Sequence, residues 1–150
     1  MKVNELMSLR VELATPNDSI QEAAKVMHRI DAGVLPVGEN DRLVGMITDR
    51  DITVRAVAEG KDPKTTLVRD VMSPEVRYCY EDDEVESVAE NMAELQVRRL
   101  PVLNREKRLC GLISLADIAR ERRPREAAEA LEGISRQGGP HSQQTETPLT

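Results

Sequence analysis

The chain contains the stretch GMITDRDI at residues 45–52 and repeats its pattern as GLISLADI at residues 111–118. In both copies a glycine precedes two apolar residues, a hydroxyl side chain, two variable positions, an acid and an isoleucine. Apolar residues that run into a hydroxyl and then an acid are typical of a strand that ends at a helix N-cap. The stretch therefore predicts a βα corner in each half of the chain.

Two interpretations of this corner are open. The residues concerned are the hydroxyls Thr48 and Ser114 and the acids Asp51 and Asp117. In the first interpretation, the hydroxyl and the first backbone amides of the helix bind a phosphate, and the acid accepts hydrogen bonds from a pair of sugar hydroxyls. In the second, the hydroxyl and the acid only cap the helix, as in a capping box in which Asp replaces Glu. Because glycine, strand and acid recur together, the repetition favours the first interpretation.

The composition indicates a globular protein with an aliphatic core. Of its 150 residues, 39% are hydrophobic and 32% are charged, and Tyr78 and Tyr80 are the only aromatic residues. A net charge of -6 and the scarcity of aromatic rings argue against binding of nucleic acid or of an anionic membrane. No apolar run approaches a membrane span and the N-terminus lacks an apolar leader core, so we expect a cytoplasmic protein.

Neither the cysteines nor the histidines form a recognisable reactive group. Cys79 and Cys110 fall on apolar strands and not in a C-x-x-C pair, so we expect free, buried thiols. His28 lies off the apolar stripe of a helix and His141 lies in a polar tail, so neither is matched with a nucleophile. We therefore expect no catalytic residue, no metal site and no enzymatic activity.

The two halves of the chain match one another over most of their length. A shift of 65 residues places Pro36 on Pro101, and the shift becomes 66 from Gly45 onward because the second turn is one residue longer. The predicted divisions are two repeats at 1–60 and 65–123, a linker at 61–64, an amphipathic helix at 124–136 and a disordered tail at 137–150. The additional helix is expected to cover an exposed edge. Its apolar face is expected to contain Ala127, Ala128, Leu131 and Ile134.

Each half predicts the order strand, helix, strand, turn, strand, helix. In the first half the strands are expected at 11–13, 33–37 and 43–47, the turn at 38–41, and the helices from Ile20 and over 51–59. The first helix is expected to begin at a cap formed by Asp18 with Gln21 and to bury one face. That face consists of Ile20, Ala23, Ala24, Met27 and Ile30. Pro36 inside the second strand predicts an edge position or a break in pairing.

This repeat resembles a CBS domain, and residues 3 to about 122 resemble a tandem CBS pair, the Bateman module. The resemblance rests on the Pro-Val in the second strand of each half and on the pattern G-h-h-[ST]-x-x-D-h after the third strand. It implies an α+β fold of α/β-type CBS repeats, in which two pseudo-twofold-related β-α-β-β-α units pack sheet to sheet around two clefts. It also implies a disc-shaped homodimer that meets through the helices next to each motif.

Carried over to this sequence, the resemblance assigns roles to particular residues. Phosphate binding is assigned to Thr48, Ser114, Arg50, Arg98 and Arg99, and ribose binding to Asp51 and Asp117. The base cleft is assigned to Thr15, Val34, Leu35, Pro36, Tyr80, Leu100 and Pro101. Because only the second copy carries two arginines where the first has Gly33 and Val34, the two clefts are not expected to be equivalent. Tyr80 is expected either to stack on a ligand or to fill the cleft.

The resemblance implies a stand-alone regulatory module whose ligand is an adenosine compound such as AMP, ADP, ATP, NAD or S-adenosylmethionine. Such a compound would be a regulatory ligand and not an obligatory cofactor. A change in the packing of the halves or of the dimer would carry the signal to an unknown downstream protein. The alternative is a dimeric interaction or scaffold protein with the same fold, in which the hydroxyl and acid pairs serve only as caps. For the adenosine ligand, hydrogen bonds to the charged groups of a corner contribute about 1.5–3 kcal/mol each, which supports roughly micromolar affinity.

Overall fold

A computed structural model describes residues 1–121 and 124–136 of the chain. Predictions made for the tail at 137–150, including His141, and for the end of the second repeat at 122–123 lie outside these residues. The described part mixes helices with strands, so the predicted α+β class is confirmed. No helix within it is long and apolar enough to span a membrane.

The chain divides into two compact units whose limits do not follow the sequence repeats. The first unit combines Met1–Arg10 with Tyr78–Arg105 and the described residues from Cys110 to Arg136. The second unit combines Val11–Arg77 with Glu106–Leu109. The N-terminal segment therefore folds with the second repeat, and the residues just before position 78 fold with the first.

The second unit is built on helix α1 and a β-hairpin. α1 spans Ile20–Ile30, β1 spans Val34–Glu39 and β2 spans Arg42–Thr48, and β1 pairs antiparallel with β2. The turn is Asn40-Asp41 with φ angles of 54° and 62°, as a two-residue hairpin turn of the I′ type requires, so the predicted turn is confirmed. The buried residues of this core are Ala14, Ile20, Ala23, Met27, Leu35, Val37, Ile47, Ala56, Val68 and Val71.

Two details of α1 differ from the sequence prediction. Ser19, and not Asp18, is the N-cap, and its side chain accepts a hydrogen bond from the amide of Glu22 at 3.1 Å. Asp18 instead accepts a hydrogen bond from the amide of Thr15 at 2.9 Å, which closes the turn before the helix. Ala24 is exposed, because the buried stripe of α1 is narrower than the predicted one. His28 is exposed, as predicted.

The strand predicted at 11–13 does not form. Only Ala14 makes a bridge: its amide donates to the carbonyl of Pro36 at 3.0 Å, and its carbonyl accepts from the amide of Gly38 at 2.9 Å. Pro36 has no amide hydrogen, so it cannot continue this ladder toward residue 12. The predicted break in pairing at Pro36 is therefore confirmed, and it explains why the strand is missing.

The helix after β2 begins at Asp49, two residues earlier than predicted. α2 spans Asp49–Ile52 and continues as a π-helix over Thr53–Val57. Gly60 follows with a φ of 72°, a left-handed conformation that glycine adopts without strain, so the predicted glycine end of this helix is confirmed. A short helix α3, Val68–Val71, adds two fully buried valines to the core of the second unit.

The first unit holds a three-stranded sheet and helices on it. Its strands are β3 (Cys79–Tyr80), β4 (Arg99–Leu103) and β5 (Leu109–Ser114), in the order β3-β4-β5, with β3 parallel to β4. Helix α4 spans Val85–Leu95, helix α5 spans Leu115–Arg120, and a 3-10 turn at Val3–Glu5 brings Val3 into the core. The buried residues of this core are Val3, Cys79, Val85, Val88, Ala89, Met92, Leu100, Val102, Ile113, Ile118 and Ala130.

Helix α6 spans Pro124–Ile134 and packs on α4 and α5 instead of covering a sheet edge. Gly133 approaches α4 so closely that a Cβ built there would lie 2.3 Å from the Cβ of Ala93. The buried face contains Ala130, whereas Leu131 is 47% exposed, which differs from the predicted face. The close contact of small residues, and not a stripe of large ones, decides which side of α6 faces the core.

A short segment pairs with the motif strand of each unit. In the second unit Ser73 and Met46 exchange two backbone hydrogen bonds of 2.9 Å. In the first unit Ser8 donates to Leu112 at 2.8 Å and accepts from it at 2.9 Å. Each segment lies at the start of one repeat and pairs with the strand of the other repeat.

The motif glycines lie directly under these segments. A Cβ at Gly45 would lie 2.8 Å from the carbonyl oxygen of Ser73, and a Cβ at Gly111 would lie 2.5 Å from Sδ of Met7. At Gly45 the contact is with backbone, so the close approach of the neighbouring segment requires a glycine there. At Gly111 the shortest contact is with a methionine side chain, so the requirement for glycine is weaker.

Candidate functional site

The corners at the ends of β2 and β5 are both closed by capping boxes. The hydroxyl oxygen of Thr48 accepts from the amide of Asp51 at 3.0 Å, and Asp51 Oδ2 accepts from the amide of Thr48 at 3.0 Å. In the second corner Ser114 Oγ accepts from the amide of Asp117 at 3.1 Å, and Asp117 Oδ2 accepts from the amide of Ser114 at 2.9 Å. The capping interpretation is therefore realised in both copies.

These capping bonds leave some donor and acceptor capacity at each corner for a ligand. A hydroxyl that accepts one hydrogen bond keeps its own hydrogen for donation, and a carboxylate that uses Oδ2 keeps the lone pairs of Oδ1. The side chains of Asp51 and Asp117 are 17% and 13% exposed, so both acids are half-buried but open to solvent. Capping and ligand binding are therefore chemically compatible at the same residues.

An arginine on the same helix faces Oδ1 of each acid. Arg55 Nε lies 3.9 Å from Asp51 Oδ1, and Arg120 Nη2 contacts Asp117 Oδ1. The arginine side chains are 52% and 73% exposed, so each pair contributes only about 0–1 kcal/mol to stability. Because a carboxylate oxygen has two lone pairs, a ligand hydroxyl can donate to Oδ1 beside the arginine and need not displace it.

The first-turn amides of α2 already have partners. The amide of Asp49 donates to the carbonyl of Gly33 at 2.9 Å, and the amide of Arg50 donates to Asp49 Oδ1 at 2.8 Å. Because the amide of Asp51 is bonded to Thr48, a phosphate would have to displace protein acceptors from all three amides. The first-turn amides of this corner are therefore not unpartnered, and phosphate binding here stays a prediction.

The second corner is more favourable to an anion. Leu115 stands where the first corner has the acid Asp49. The amide of Leu115 donates to the carbonyl of Arg98 at 2.8 Å, but none of the described residues accepts from the amide of Ala116. Arg98 and Arg99 bring two cationic side chains to the start of β4. The two corners therefore differ in charge as well as in sequence.

The residues assigned to the base lie on β1 and β4, and most of their side chains are inside the cores. Val34 pairs with Thr48 across the hairpin and so lies beside the first corner. Leu35 and Leu100 are at most 1% exposed and belong to the two hydrophobic cores. Pro36 and Pro101 are also buried. These four residues are therefore closed to solvent in this structure and expose neither side chain nor backbone to a ligand.

The structure does not bring Thr15 to the first corner. The residue before it, Ala14, bridges Val37, whereas Thr48 pairs with Val34, three residues earlier on β1. Because this pairing is parallel, Thr15 is level with Gly38, and at about 3.3 Å per residue it is displaced along the strand by roughly 13 Å from Thr48. It lines a shallow pocket at the hairpin turn instead.

Tyr80 likewise lies at the end of β4 that is remote from the second corner. It pairs with Leu103, and the guanidinium of Arg105 stacks over its ring at 4.1 Å from the centroid. Arg105 also pairs with Asp82 at 2.7 Å, and its hydrogen bonds hold the pKa of the Asp82 carboxyl below its usual value. One face of the tyrosine ring is thus occupied by Arg105 and is not available to a nucleobase.

Arg55 is the residue of the first corner that the sequence analysis missed. Besides facing Asp51, its Nη1 donates to the carbonyls of Val71 and Met72 at 3.2 and 3.3 Å. The spacing of an arginine four residues after an acid on a helix is a local signal for the first contact. No local pattern indicates the second contact, because the two carbonyls are 16 and 17 positions away in sequence.

The cysteines are free, as predicted, but only one of them is fully buried. Cys79 is buried, whereas Cys110 is half-buried on β5, where its Sγ lies 3.6 Å from Glu81 Oε2. Burial raises the pKa of Cys79 to about 12 and, together with Glu81, that of Cys110 to about 11. Both thiols are therefore protonated at neutral pH. Within the described ranges, no group of three or more His, Cys, Asp or Glu residues could hold a metal ion.

Two repeats, each with a glycine-led strand that ends in a capped corner, define a duplicated α+β module. The family model described as "CBS domain" matches residues 3–57 and 68–123. The CBS domain-containing protein YhcV of Bacillus subtilis is 39% identical over 136 residues, which are 90% of this chain and 96% of that protein. The chain therefore belongs to the CBS-domain family and contains a pair of these domains.

Solved structures of CBS proteins are also similar. Hypoxic Response Protein I, solved with two coordinated zinc ions, matches with a TM-score of 0.71 and 36% identity over 80% of this chain and 98% of that one. The CBS domain pair of protein MJ0100, solved in complex with 5-methylthioadenosine and S-adenosyl-L-methionine, matches with a TM-score of 0.68 and 29% identity. This match covers 83% of this chain and 98% of that one. The predicted CBS-pair fold is therefore confirmed.

Proposed function

We propose that the chain is a regulatory module that binds an adenosine-containing ligand at its two corners. Thr48 and Ser114 would donate hydroxyl hydrogens to the ligand, and Oδ1 of Asp51 and of Asp117 would accept from its ribose. The observation that carries the proposal is the duplication of one geometry, with the same donor, the same acceptor and a half-buried acid in both copies. The adenosine compounds bound to the similar CBS pair of MJ0100 support this class of ligand.

The charges of the corners favour different members of this class. At the first corner the carboxylate of Asp49 and the bonded amides disfavour a phosphate, so an uncharged or cationic adenosine compound, such as S-adenosylmethionine, fits better. At the second corner Arg98, Arg99 and the Ala116 amide favour a phosphate, such as that of AMP, ADP, ATP or NAD. The ligand is regulatory on this proposal, and the chain itself carries out no reaction.

The alternative function, a ligand-free interaction or scaffold protein, is favoured by the capping boxes themselves. Each hydroxyl and each acid already has an intramolecular partner, so helix capping alone can account for their recurrence. A homodimer is part of both functions. Val54 and Val57, beside the first corner, are 47% and 63% exposed, and a second chain would cover them.

The substitutions Asp51→Asn and Asp117→Asn separate the two functions. The side-chain oxygen of Asn can still accept from the capping amide, whereas its NH₂ group replaces the lone pairs of Oδ1 with donors. We expect the double variant to unfold at nearly the wild-type urea concentration. We expect it to bind AMP and S-adenosylmethionine about tenfold or more weakly, because a hydrogen bond to a charged group contributes about 1.5–3 kcal/mol. Titration calorimetry and the ligand-induced rise in melting temperature measure this change.

Asp62→Asn is the matched control. Asp62 Oδ1 also accepts a backbone hydrogen bond, from the amide of Lys64 at 2.9 Å, but it lies in the linker outside both corners. This control removes one carboxylate charge, as each of the two corner substitutions does, and should leave the affinities unchanged. If the wild type binds none of these compounds at millimolar concentration, or if the double variant binds them as tightly as the wild type, the ligand-binding function fails and the capping role remains.

A further inference from the structure

Arg55 connects the first corner to a different part of the second unit. Its Nε lies 3.9 Å from Asp51 Oδ1, and its Nη1 donates to the carbonyls of Val71 and Met72 at 3.2 and 3.3 Å. These carbonyls stand at the C-terminal end of α3, where helix carbonyls lack partners within the helix. One planar guanidinium therefore contacts both the acid of the corner and the end of α3.

The segment after α3 is bonded to the strand that carries the corner. Ser73 and Met46 exchange two backbone hydrogen bonds of 2.9 Å, and Met46 lies two residues before Thr48 on β2. A closed ring of contacts therefore runs from Asp51 through Arg55 to the end of α3, then to Ser73 and back along β2. Such a contiguous ring is a physical route by which two places in one unit can influence each other.

The second corner lacks this connection. The position equivalent to Arg55 is Glu121, whose ionised carboxylate cannot donate to carbonyls. Arg120 pairs with Asp117 on the same helix, and within residues 1–121 and 124–136 it makes no hydrogen bond outside α5. The segment of Met7 and Ser8, which pairs with β5, is therefore not joined to its corner by an arginine.

We propose that Arg55 couples ligand binding at Asp51 to the ordering of residues 71–73. This inference rests on the proposed function, because the ligand is the one bound at the first corner. A ligand hydroxyl that donates to Asp51 Oδ1 restrains the carboxylate, and the restrained carboxylate keeps Arg55 against the carbonyls of Val71 and Met72. Because coupling between sites is reciprocal, an ordered segment also strengthens ligand binding. The first corner thus transmits the presence of its ligand, and the second corner does not.

Amide hydrogen exchange at Ser73 and Met46, followed residue by residue by NMR, tests this coupling. In the wild type, saturating S-adenosylmethionine or AMP is expected to slow exchange at both amides about five- to tenfold, near the low end of allosteric coupling because Arg55 is half-exposed. In Arg55→Ala the bound ligand is expected to leave both exchange rates unchanged, and its affinity is expected to fall by the same factor. Arg55→Lys should restore only part of the effect, because one ammonium group lacks the planar fork.

Arg120→Ala is the matched control, because it removes the arginine that faces the acid of the other corner. It should retain the ligand effect at Ser73. If Arg55→Ala also retains that effect, or speeds exchange only in the ligand-free protein, Arg55 has a structural role and the coupling is refuted. If the ligand protects the amides of Thr48 and Asp51 in the wild type but not that of Ser73, the coupling is refuted while the proposed function stands. If no amide responds to either compound, both fail.

Discussion

Gly45 is expected to be one of the least replaceable residues of the second unit. A Cβ there would lie 2.8 Å from Met72 Sδ and 2.8 Å from the carbonyl oxygen of Ser73. Gly45→Ala must therefore displace Ser73 and break the two hydrogen bonds that it exchanges with Met46. These bonds contribute about 0.5–1.5 kcal/mol each, and removing a strand glycine regains about 0.5–1 kcal/mol. The expected net loss in the free energy of unfolding is centred on about 1 kcal/mol, with a range of about 0–2.5 kcal/mol.

Gly111→Ala is the comparison, because Gly111 occupies the equivalent position of the other repeat. A Cβ there would lie 2.5 Å from Met7 Sδ, but 3.0 Å from the carbonyl oxygen of Ser8. A flexible methionine side chain can move aside, and the backbone has to yield only a few tenths of an ångström. We therefore expect Gly111→Ala to cost less than Gly45→Ala, below about 1 kcal/mol.

Double-mutant cycles distinguish the two sources of repulsion. Met7→Ala combined with Gly111→Ala removes the shortest contact and should restore most of the free energy of unfolding that Gly111→Ala alone removes. Met72→Ala combined with Gly45→Ala should not, because the carbonyl of Ser73 remains in place. Urea unfolding followed by circular dichroism gives the free energies, and the slopes show whether each variant unfolds in one transition.

Gly60→Ala measures the cost of backbone conformation alone, because φ is 72° there and nothing lies within 4 Å of an added Cβ. It separates an unfavourable φ from the repulsion expected at Gly45 and Gly111. If Gly111→Ala destabilises the protein as much as Gly45→Ala or more, the reasoning is refuted. It is also refuted if Met72→Ala fully restores the stability that Gly45→Ala removes.

Two further predictions concern ionisable groups. Because burial raises the pKa of Cys79 to about 12 and that of Cys110 to about 11, iodoacetamide should alkylate the native protein about a hundredfold more slowly at neutral pH than the urea-unfolded chain. Mass spectrometry measures this ratio, and equal rates would contradict the prediction. Hydrogen bonds from Lys2 and the N-terminal ammonium lower the pKa of Glu84 in the folded protein. The stability that these bonds provide is fully present above the pKa of Glu84 in the unfolded chain. It is lost as the pH falls through the lower pKa of Glu84 in the folded protein. Glu84→Gln should therefore flatten the fall in urea midpoint below about pH 5, whereas parallel curves for the two proteins would speak against this pair.

The sequence alone determined the features that depend on neighbouring residues. Thr48 and Asp51 are three positions apart, so the local geometry of a helix start is enough to pair them, and the same holds for Ser114 and Asp117. The turn at Asn40-Asp41 likewise follows from residues that tolerate a positive φ. The duplication of these local signals at a constant shift was enough to indicate the CBS family.

Tertiary structure alone decided which distant groups meet. Pairing at Ala14 moved Thr15 away from Thr48, and Arg105 covered the ring of Tyr80, although both had been assigned to the base by position in the repeat. The contact of Arg55 with the end of α3 is also set by the packing of the unit. The physical reason is that contacts within one helical turn are set by backbone dihedral angles, whereas contacts between remote segments depend on how a whole unit packs. The sequence pattern carries the first kind of information directly and the second only through the fold.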